Sequence, residues 1–329
     1  MNLDGKKVLV TGATGFIGSH LVEKLVQSGA NVRAFAHYNS RNDLGLLEII
    51  DPEVRSSVDV VYGDLKDGDG VRRAVKGCGV VFHLGALVAI PYSYRSPNDF
   101  VQTNVNGTAN VLNAALEYGV ERFVHTSTSE TYGTAQYQPI DEAHPLVGQS
   151  PYSASKISAD KLAESYFLSF DLPVSTIRPF NTYGPRQSAR AVIPTIIAQA
   201  LKSNELQLGS TTPKRDFNFI DDTVAGFVAV ATNDRAIGEV INIGSGRTVS
   251  IADVVQQVGE IVSRPLEVHT DGSRVRPEKS EVGLLLADIG KAQRLLGWNP
   301  KVSLRDGLER TVEWIGHHQA RYKASEYNV

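Results

Sequence analysis

Residues 6–26 read KKVLVTGATGFIGSHLVEKLV and combine three local patterns. A short apolar run leads to Gly12, Gly15 and Gly18, and apolar residues then recur at the spacing of one helix face. These patterns predict a strand, a tight turn and a helix that Gly29 ends in a left-handed cap. Glycines let the chain turn sharply and let a pyrophosphate approach the free N–H groups at the helix N-terminus. The segment therefore predicts a dinucleotide-binding turn.

Strand-like and helical segments continue to alternate, with short turns between them. This pattern is typical of a parallel sheet covered by helices on both faces, so we predict an α/β fold with a doubly wound, Rossmann-type sheet. The predicted strands are residues 7–10, 31–36, 58–62, 80–84, 122–126 and 174–178, and the two long amphipathic helices are residues 98–118 and 152–170.

The composition changes after Asn181, where an irregular stretch containing Pro and Arg leads into short elements. We therefore expect a dinucleotide-binding Rossmann domain at residues 1–181. A smaller mixed α/β substrate-binding domain is expected at residues 182–329, interleaved with the first. Its polar tail is expected to fray from about residue 318.

Composition and charge exclude several classes of function. The 329 residues are 42% hydrophobic and 21% charged, and the net charge of −3 gives no electrostatic case for binding nucleic acid or an anionic membrane. The sequence has neither a basic-then-apolar leader nor an apolar run of about 20 residues, so we expect a cytoplasmic protein. A single cysteine, Cys78, leaves no internal disulfide and no cysteine-based zinc site, and we expect no metal.

Two stretches carry side chains suited to proton transfer. Residues 125–133 read HTSTSETYG, a strand end that runs into a hydroxyl-rich loop with one carboxylate, Glu130. Tyr152 and Lys156 lie four residues apart and share one face of a predicted helix. Tyrosine, with a pKa of about 10, is a poor base at neutral pH, but a lysine and a positively charged nicotinamide beside it would stabilise the phenolate. Both stretches are expected at the carboxyl edge of the sheet.

Together these motifs resemble the extended short-chain dehydrogenase/reductases that act on nucleotide-diphosphate sugars. The glycine spacing G-x-x-G-x-x-G is that of short-chain dehydrogenase relatives and differs from the commoner G-x-G-x-x-G fingerprint. The resemblance covers nearly the whole chain. Further matching pieces are HLGA at residues 83–86, NVNGT at 104–108, RPFNTYGPR at 178–186, RDF at 215–217 and RP at 276–277.

The resemblance implies a role for each matching position. The implied catalytic residues are Thr128, Ser129, Glu130, Tyr152 and Lys156. The implied cofactor-binding residues are Gly12, Thr14, Gly15, Phe16, Ile17, Gly18, His37, Asp64, Leu65, Leu84, Ala86, Thr103, Tyr152, Lys156 and Pro179. The implied substrate-binding residues are Ala89, Ser129, Asn181, Arg190, Val192, Arg215 and Arg276. For Asp64, capping of the following helix is an equal alternative.

Glu130 narrows the set of reactions that the family resemblance allows. Simple 4-epimerases usually carry no acid at this position, whereas a carboxylate suits removal of the C5 proton once C4 is a carbonyl, followed by loss of the C6 hydroxyl. The resemblance therefore implies a 4,6-dehydratase. Ser129 matches the Thr-Ser-Glu of GDP-mannose dehydratases and UDP-glucuronate decarboxylases, so decarboxylation and 4-epimerisation stay open. A non-catalytic protein that binds NAD(P) is a further alternative.

The surrounding sequence suggests a substrate. Residues 86–94 and 187–194 most resemble the N-acetylhexosamine-nucleotide 4,6-dehydratases of nonulosonic-acid pathways. The implied substrate is UDP- or GDP-N-acetylglucosamine.

The second strand gives conflicting signals about the cofactor. In NAD-dependent relatives this strand ends with an acidic residue. The corresponding position here is Ala36, and His37 and Arg41 follow it. Since a dehydratase returns its hydride within each turnover, selection for one dinucleotide is relaxed, and we expect NAD, with NADP as the alternative. Family analogy also suggests a homodimer through the two long helices, which could equally serve to cover the sheet.

Overall fold

The computed structural model describes residues 1–274, 280 and 282–323. Its strands are β1 (Lys7–Thr11), β2 (Asn31–His37), β3 (Asp59–Gly63), β4 (Val80–His83), β5 (Arg122–Thr126), β6 (Val174–Pro179), β7 (Asn181–Tyr183), β8 (Glu205–Leu208), β9 (Lys214–Arg215), β10 (Phe217–Phe219), β11 (Val240–Ile243), β12 (Val249–Ser250) and β13 (Glu267–Thr270). Its helices are α1 (Phe16–Gln27), α2 (Pro52–Ser56), α3 (Gly68–Val75), α4 (Ile90–Arg95), α5 (Pro97–Phe100), α6 (Gly107–Glu117), α7 (Pro151–Phe170), α8 (Val192–Ala200), α9 (Ile220–Thr232), α10 (Ile251–Ile261), α11 (Gly290–Leu296) and α12 (Leu304–His317).

Seven of these strands form one parallel sheet in the order β3-β2-β1-β4-β5-β6-β11. Alternate side chains of β1 face opposite sides: Val8 and Val10 join a core that includes α1 and α9, and Leu9 joins a core that includes α3, α6 and α7. Helices therefore cover both faces of the sheet, which confirms the predicted doubly wound α/β fold. The order reverses between β1 and β4, the position where such folds bind ligands.

The remaining strands form a smaller second part with α8, α10 and α12. They pair in twos: β7 with β10, β9 with β12, and β8 with β13. One later segment belongs to the main sheet: β11, which lies beyond residue 182, pairs with β6. The two parts of the fold therefore share chain segments.

Two expectations about local structure need correction. The predicted helix at residues 98–118 is instead α5, a π-helical turn at Val101–Asn106 and α6. The wider turn accompanies a buried Asn104 that hydrogen-bonds outside the helix. Of the tail expected to fray from about residue 318, the described part is folded: Gln319–Arg321 forms a 3₁₀ turn, and Tyr322 is buried with its hydroxyl donating to the Gln187 carbonyl oxygen at 2.8 Å. Residues 324–329 lie outside the described residues.

The predicted left-handed cap of α1 is confirmed. Gly29 lies in the left-handed region (φ 81°) directly after α1, and Cys78 is buried. Within the described residues, no helix is both long and apolar enough to span a bilayer. The same part of the chain contains no cluster of three metal-ligating side chains.

Candidate active site

A cleft of about 1220 Å³ opens at the carboxyl ends of β1, β3, β4, β5 and β6 and extends into the second part. Every sequence-predicted site residue within the described chain lines it, except Lys156, which lies buried behind it. Arg276 lies outside the described residues. The structure thus brings the predicted cofactor, catalytic and substrate residues to one cavity.

The glycine turn at one end of the cleft fits a dinucleotide. Gly12 has φ 68°, and a Cβ there would lie 2.8 Å from the Gly85 nitrogen, while a Cβ on Gly18 would lie 2.1 Å from the Gly12 oxygen. Gly15 begins α1 without a side-chain cap, and the first turn has no acid. Backbone N–H groups at this helix end are therefore available to a pyrophosphate, and only glycine leaves the backbone this exposed.

His37 and Asp64, both expected to bind the cofactor, also line the cleft. The Arg41 guanidinium points elsewhere: it is 83% exposed, lies 3.6 Å from Asp43, and does not line the cleft. Asp64 does not cap α3, because that cap is Asp67, which accepts from the Asp69 N–H. Asp64 instead accepts from the Lys66 N–H at 2.9 Å and keeps its place on the cleft wall.

Tyr152 and the hydroxyl-rich loop meet on the wall of the cleft. Tyr152 stands in the first turn of α7, which a Ser150–Ser153 capping box begins, and its ring packs edge-on against Phe100. Thr128 caps the 3₁₀ turn Ser129–Tyr132, and its hydroxyl also hydrogen-bonds Tyr152. Glu130, the one carboxylate of this loop, lines the cleft.

Lys156 does not by itself make Tyr152 a base. Burial raises the pKa of Tyr152, the Thr128 hydrogen bond lowers it, and the Glu130 charge raises it further. The Lys156 ammonium donates to the Thr126 carbonyl oxygen at 2.5 Å, and burial lowers the pKa of Lys156 to about 8. The expected stabilisation of a Tyr152 phenolate therefore requires the second positive charge that an oxidised nicotinamide would bring.

Sequence reasoning missed Asp160, which follows Lys156 by one turn on the same helix face. Asp160 is 5% exposed and accepts from Ser127 at 2.6 Å, from Arg178 at 2.8 Å and from the His125 ring at 3.0 Å. Burial works to raise the pKa of Asp160, but the His125 hydrogen bond and the Arg178 charge hold it below its ordinary value. The repeated spacing of four from Tyr152 through Lys156 to Asp160 was a signal that could have revealed it.

A second buried network supports the wall between cofactor and catalytic groups. Asn104 bonds both the N–H and the carbonyl of Leu87 and donates to Ser155 on α7. His83 bridges Thr11 and Thr108 at 2.8 and 3.0 Å. The loop that carries Leu84, Ala86 and Ala89 is thus held by Asn104, and the end of the strand before it is held to β1 and α6 by His83.

The substrate side of the cleft is rich in donors. The Asn181 side-chain nitrogen is buried with no hydrogen-bond partner, although the residue lines the cleft. Arg215 is 8% exposed and Arg190 is exposed at the rim, and both line the cleft with Ala89, Ser129 and Val192. Arg274, which sequence reasoning missed, lines it as well and pairs with Asp271 at 2.9 Å. This donor set suits a phosphorylated ligand.

Comparison with known proteins supports this geometry. A model of the family described as GDP-mannose 4,6 dehydratase matches residues 9–311. The chain belongs to the GDP-mannose 4,6-dehydratase family. It is 36% identical to a dTDP-glucose 4,6-dehydratase of Streptomyces griseus, over 95% of each chain. It is 31% identical to a UDP-N-acetyl-α-D-glucosaminuronate decarboxylase of Bacillus cytotoxicus, over 94% of this chain and 98% of that one.

Solved structures agree with the family assignment. The UDP-glucuronic acid 4-epimerase of Bacillus cereus, in complex with UDP-glucuronic acid and NAD, superposes with a TM-score of 0.86 at 32% identity, covering 95% of this chain and 99% of that one. The predicted resemblance to extended short-chain dehydrogenase/reductases is therefore confirmed. Members of this GDP-mannose 4,6-dehydratase family and its neighbours carry out dehydration, decarboxylation and epimerisation, so family membership alone leaves the reaction of this enzyme open.

Proposed function

We propose that the protein is an NAD-dependent nucleotide-sugar 4,6-dehydratase. The observation that carries the proposal is the position of Glu130, a carboxylate in the cleft near enough to Tyr152 for its charge to raise the pKa of the phenol. An epimerase needs one base at C4, whereas a dehydratase needs a second base for C5. The site offers two candidate bases, Tyr152 on α7 and Glu130 in the loop that follows β5.

Tyr152 takes the proton of the C4 hydroxyl as C4 becomes a carbonyl. Thr128 hydrogen-bonds the Tyr152 hydroxyl and so favours the charged form. Lys156 follows Tyr152 by one helical turn, and its ammonium donates to the Thr126 carbonyl oxygen. A nicotinamide bound in the cleft would supply the hydride acceptor for C4 and the hydride donor for C6.

Glu130 removes the proton from C5, which the C4 carbonyl has made acidic. The C6 hydroxyl then leaves with a proton as water, and a C5–C6 double bond forms. Ser129 is too weak an acid to protonate that hydroxyl unaided, so protonated Glu130 delivers the proton it has taken from C5. One carboxyl group thus serves both steps. Addition of hydride at C6 is matched by uptake of a solvent-exchangeable proton at C5, and release of the C4-hydroxyl proton from Tyr152 restores the starting state of the site.

The substrate proposed is UDP- or GDP-N-acetylglucosamine. The unpartnered amide of Asn181 and the guanidinium groups of Arg215 and Arg274 border the part of the cleft that would hold the diphosphate. Arg276 is proposed for the same phosphates or ribose on the family resemblance. The similarity of residues 86–94 and 187–194 to N-acetylhexosamine dehydratases supports the sugar.

NAD is the proposed cofactor. The Bacillus cereus epimerase was solved with NAD, and the glycine turn here fits a dinucleotide. Arg41 does not line the cleft and is paired with Asp43, so the basic side chains on the cleft wall at this end are His37 and Lys66, which lies 3.7 Å from Asp64. A dedicated 2′-phosphate site of arginines is therefore not formed by these residues, which favours NAD over NADP.

We also propose a homodimer through α6 and α7. Both helices cover the sheet with their buried faces, and their outer surfaces expose Leu116, Leu168 and Phe170. Phe170 is 53% exposed and Leu168 is 71% exposed, which is unusual for side chains of this size on one helix.

The deciding experiment is incubation with UDP-, GDP-, CDP- and dTDP-sugars followed by mass spectrometry. Dehydration loses water, decarboxylation of a uronic acid loses carbon dioxide, and epimerisation leaves the mass unchanged. Loss of water from UDP- or GDP-N-acetylglucosamine is the expected result. Decarboxylation and epimerisation are the second candidates, because relatives with those reactions are nearly as similar as the dehydratases.

A further inference from the structure

The loop at residues 184–191 contacts both parts of the fold beside the cleft. It runs from β7 to α8, and its residues from Arg186 to Ala191 line the cavity. One side of this loop is fixed to the second part: the Gln187 amide donates to the Thr182 carbonyl oxygen at 2.7 Å, and Tyr322 donates to the Gln187 carbonyl oxygen at 2.8 Å. The loop's other side is fixed to the cofactor-binding helix.

That second attachment is an ion pair between Arg186 and Glu23 of α1. The Arg186 guanidinium nitrogen lies 2.5 Å from the Glu23 carboxylate, and the two side chains are only 11% and 16% exposed. The same guanidinium donates to Ser19 at 3.3 Å, and the His20 ring bonds the Pro185 carbonyl oxygen at 3.0 Å. Low exposure protects this pair from the screening that weakens surface ion pairs.

The backbone at Arg186 supports a specific role for the pair. Arg186 has φ 71°, a left-handed conformation that is uncommon for a residue with a side chain. Such strain persists where surrounding contacts over-determine it, and it concentrates at ligand-binding segments. Here those contacts come from α1, the helix whose N-terminal turn would hold the pyrophosphate.

We propose that the Arg186–Glu23 ion pair couples cofactor binding to nucleotide-sugar binding, with Arg186 as a positioning residue. The inference rests on the proposed function only in naming NAD and a nucleoside diphosphate as the two ligands. A bound dinucleotide fixes the first turns of α1, α1 holds Glu23, and Glu23 holds Arg186 and the loop in the conformation that contacts substrate. By linkage, each ligand raises the affinity for the other by the same factor.

The test measures that factor directly by titration calorimetry. The dissociation constants of UDP, GDP, CDP and dTDP are measured with and without saturating NAD on protein freed of nucleotide, and the tightest diphosphate is used thereafter. We expect NAD to strengthen its binding at least about fivefold in the wild type. Glu23→Gln, which keeps the shape and removes the charge, should bring the factor close to one.

Two further variants separate the ion pair from general structural effects. Arg186→Gly removes the pair and relieves the left-handed backbone, so it should lose the coupling while thermal unfolding still shows a cooperative transition. Glu117→Gln is the matched control, since it breaks the exposed Arg72–Glu117 pair on the opposite face of the sheet. The control should keep the full coupling factor.

Three results would overturn the inference. The first is that NAD does not change the diphosphate affinity of the wild type, and the second is that Glu23→Gln keeps the wild-type coupling factor. The third is that the variants bind both ligands more weakly but keep the coupling factor. The double variant Glu23→Gln/Arg186→Gly should lose no more coupling than either single variant, because both act on one interaction. Because binding is measured rather than turnover, an error in the assigned reaction would appear in the product masses and leave this test intact.

Discussion

The Lys156 ammonium donates to the Thr126 carbonyl oxygen at 2.5 Å and so ties the start of α7 to the end of β5. Tyr152 lies one turn before Lys156 on α7, and Thr128 and Glu130 follow Thr126 in the chain. The helix and the loop that carry the proposed proton-transfer groups are therefore held together by this hydrogen bond. Changes to single side chains of this helix and loop should have separable effects on chemistry and on stability.

Tyr152→Phe should abolish oxidation at C4. It removes the only hydroxyl in the first turn of α7 that lines the cleft beside Thr128, while the ring can keep its packing against Phe100. We expect a loss in kcat of at least about 10²-fold, the scale of general base catalysis. The loss is measured from steady-state rates with the nucleotide sugar that the wild type converts. The control Tyr118→Phe, which lies outside the cleft, should keep the wild-type rate. Undiminished turnover in Tyr152→Phe would contradict the assignment.

Lys156 should make stability rise with pH in the alkaline range. Burial lowers the pKa of Lys156 from 10.5 to about 8, so between these values the unfolded chain binds a proton that the folded protein has released. The unfolding free energy should therefore rise from about pH 8 to about pH 10, by up to about 3 kcal/mol. Urea unfolding of nucleotide-free wild type and Lys156→Met at several pH values tests this. The rise should disappear in Lys156→Met, and a parallel rise in both proteins would assign it to other groups.

Asp160→Asn should be strongly destabilising although Asp160 lies outside the cleft wall. The substitution leaves the buried Arg178 guanidinium without its anionic partner, which costs about 3–5 kcal/mol. Chemical denaturation measures the loss, and Asp69→Asn, which breaks an exposed pair with Arg72, should change stability by less than about 1 kcal/mol. Equal effects of the two substitutions would mean that the buried network is not a major source of stability.

Arg215→Ala should weaken binding of the nucleoside diphosphate. The expected loss is about 1.5–3 kcal/mol, the scale of a charge-assisted hydrogen bond. From the sequence, Arg276→Ala is also predicted to weaken binding of the diphosphate. Titration calorimetry with the best-bound diphosphate measures both, with Arg247→Ala, an exposed residue outside the cleft, as control. Unchanged affinity in both variants would place the phosphates elsewhere.

The sequence predicted features that depend on local pattern. Gly12 and Gly18 could be recognised because their spacing reflects a turn that a Cβ would block, and Tyr152 with Lys156 because helical spacing puts them on one face. The approximate positions of the six predicted strands followed from their apolar runs. These predictions needed no knowledge of distant residues.

Features that depend on distant partners were missed. The Arg186–Glu23 pair joins residues 163 positions apart, and burial of Tyr322 depends on Gln187 at the other end of the second part. A polar tail and an arginine in a loop carry no local sign of such contacts. Likewise, the π-helical turn at Val101–Asn106 looks like ordinary helix in its apolar spacing, because one extra residue hardly changes the pattern.

The assignment of dehydration depends on Glu130, and Glu130→Gln tests it because the amide keeps the shape of the side chain and removes the base. Oxidation at C4 should proceed through Tyr152, and elimination should stall. Reduced cofactor should then accumulate, visible as absorbance at about 340 nm after substrate is added. Wild type run in heavy water should incorporate deuterium at C5, whereas an epimerase would leave that hydrogen in place.

The most direct single measurement is that absorbance trace for Glu130→Gln mixed with UDP- or GDP-N-acetylglucosamine. The account predicts a persistent signal of reduced nicotinamide, approaching one equivalent per active site, with no dehydrated sugar in the mass spectrum. Dehydration by Glu130→Gln at close to the wild-type rate, without a lasting signal, would show that another group removes the C5 proton and would contradict the role assigned to Glu130.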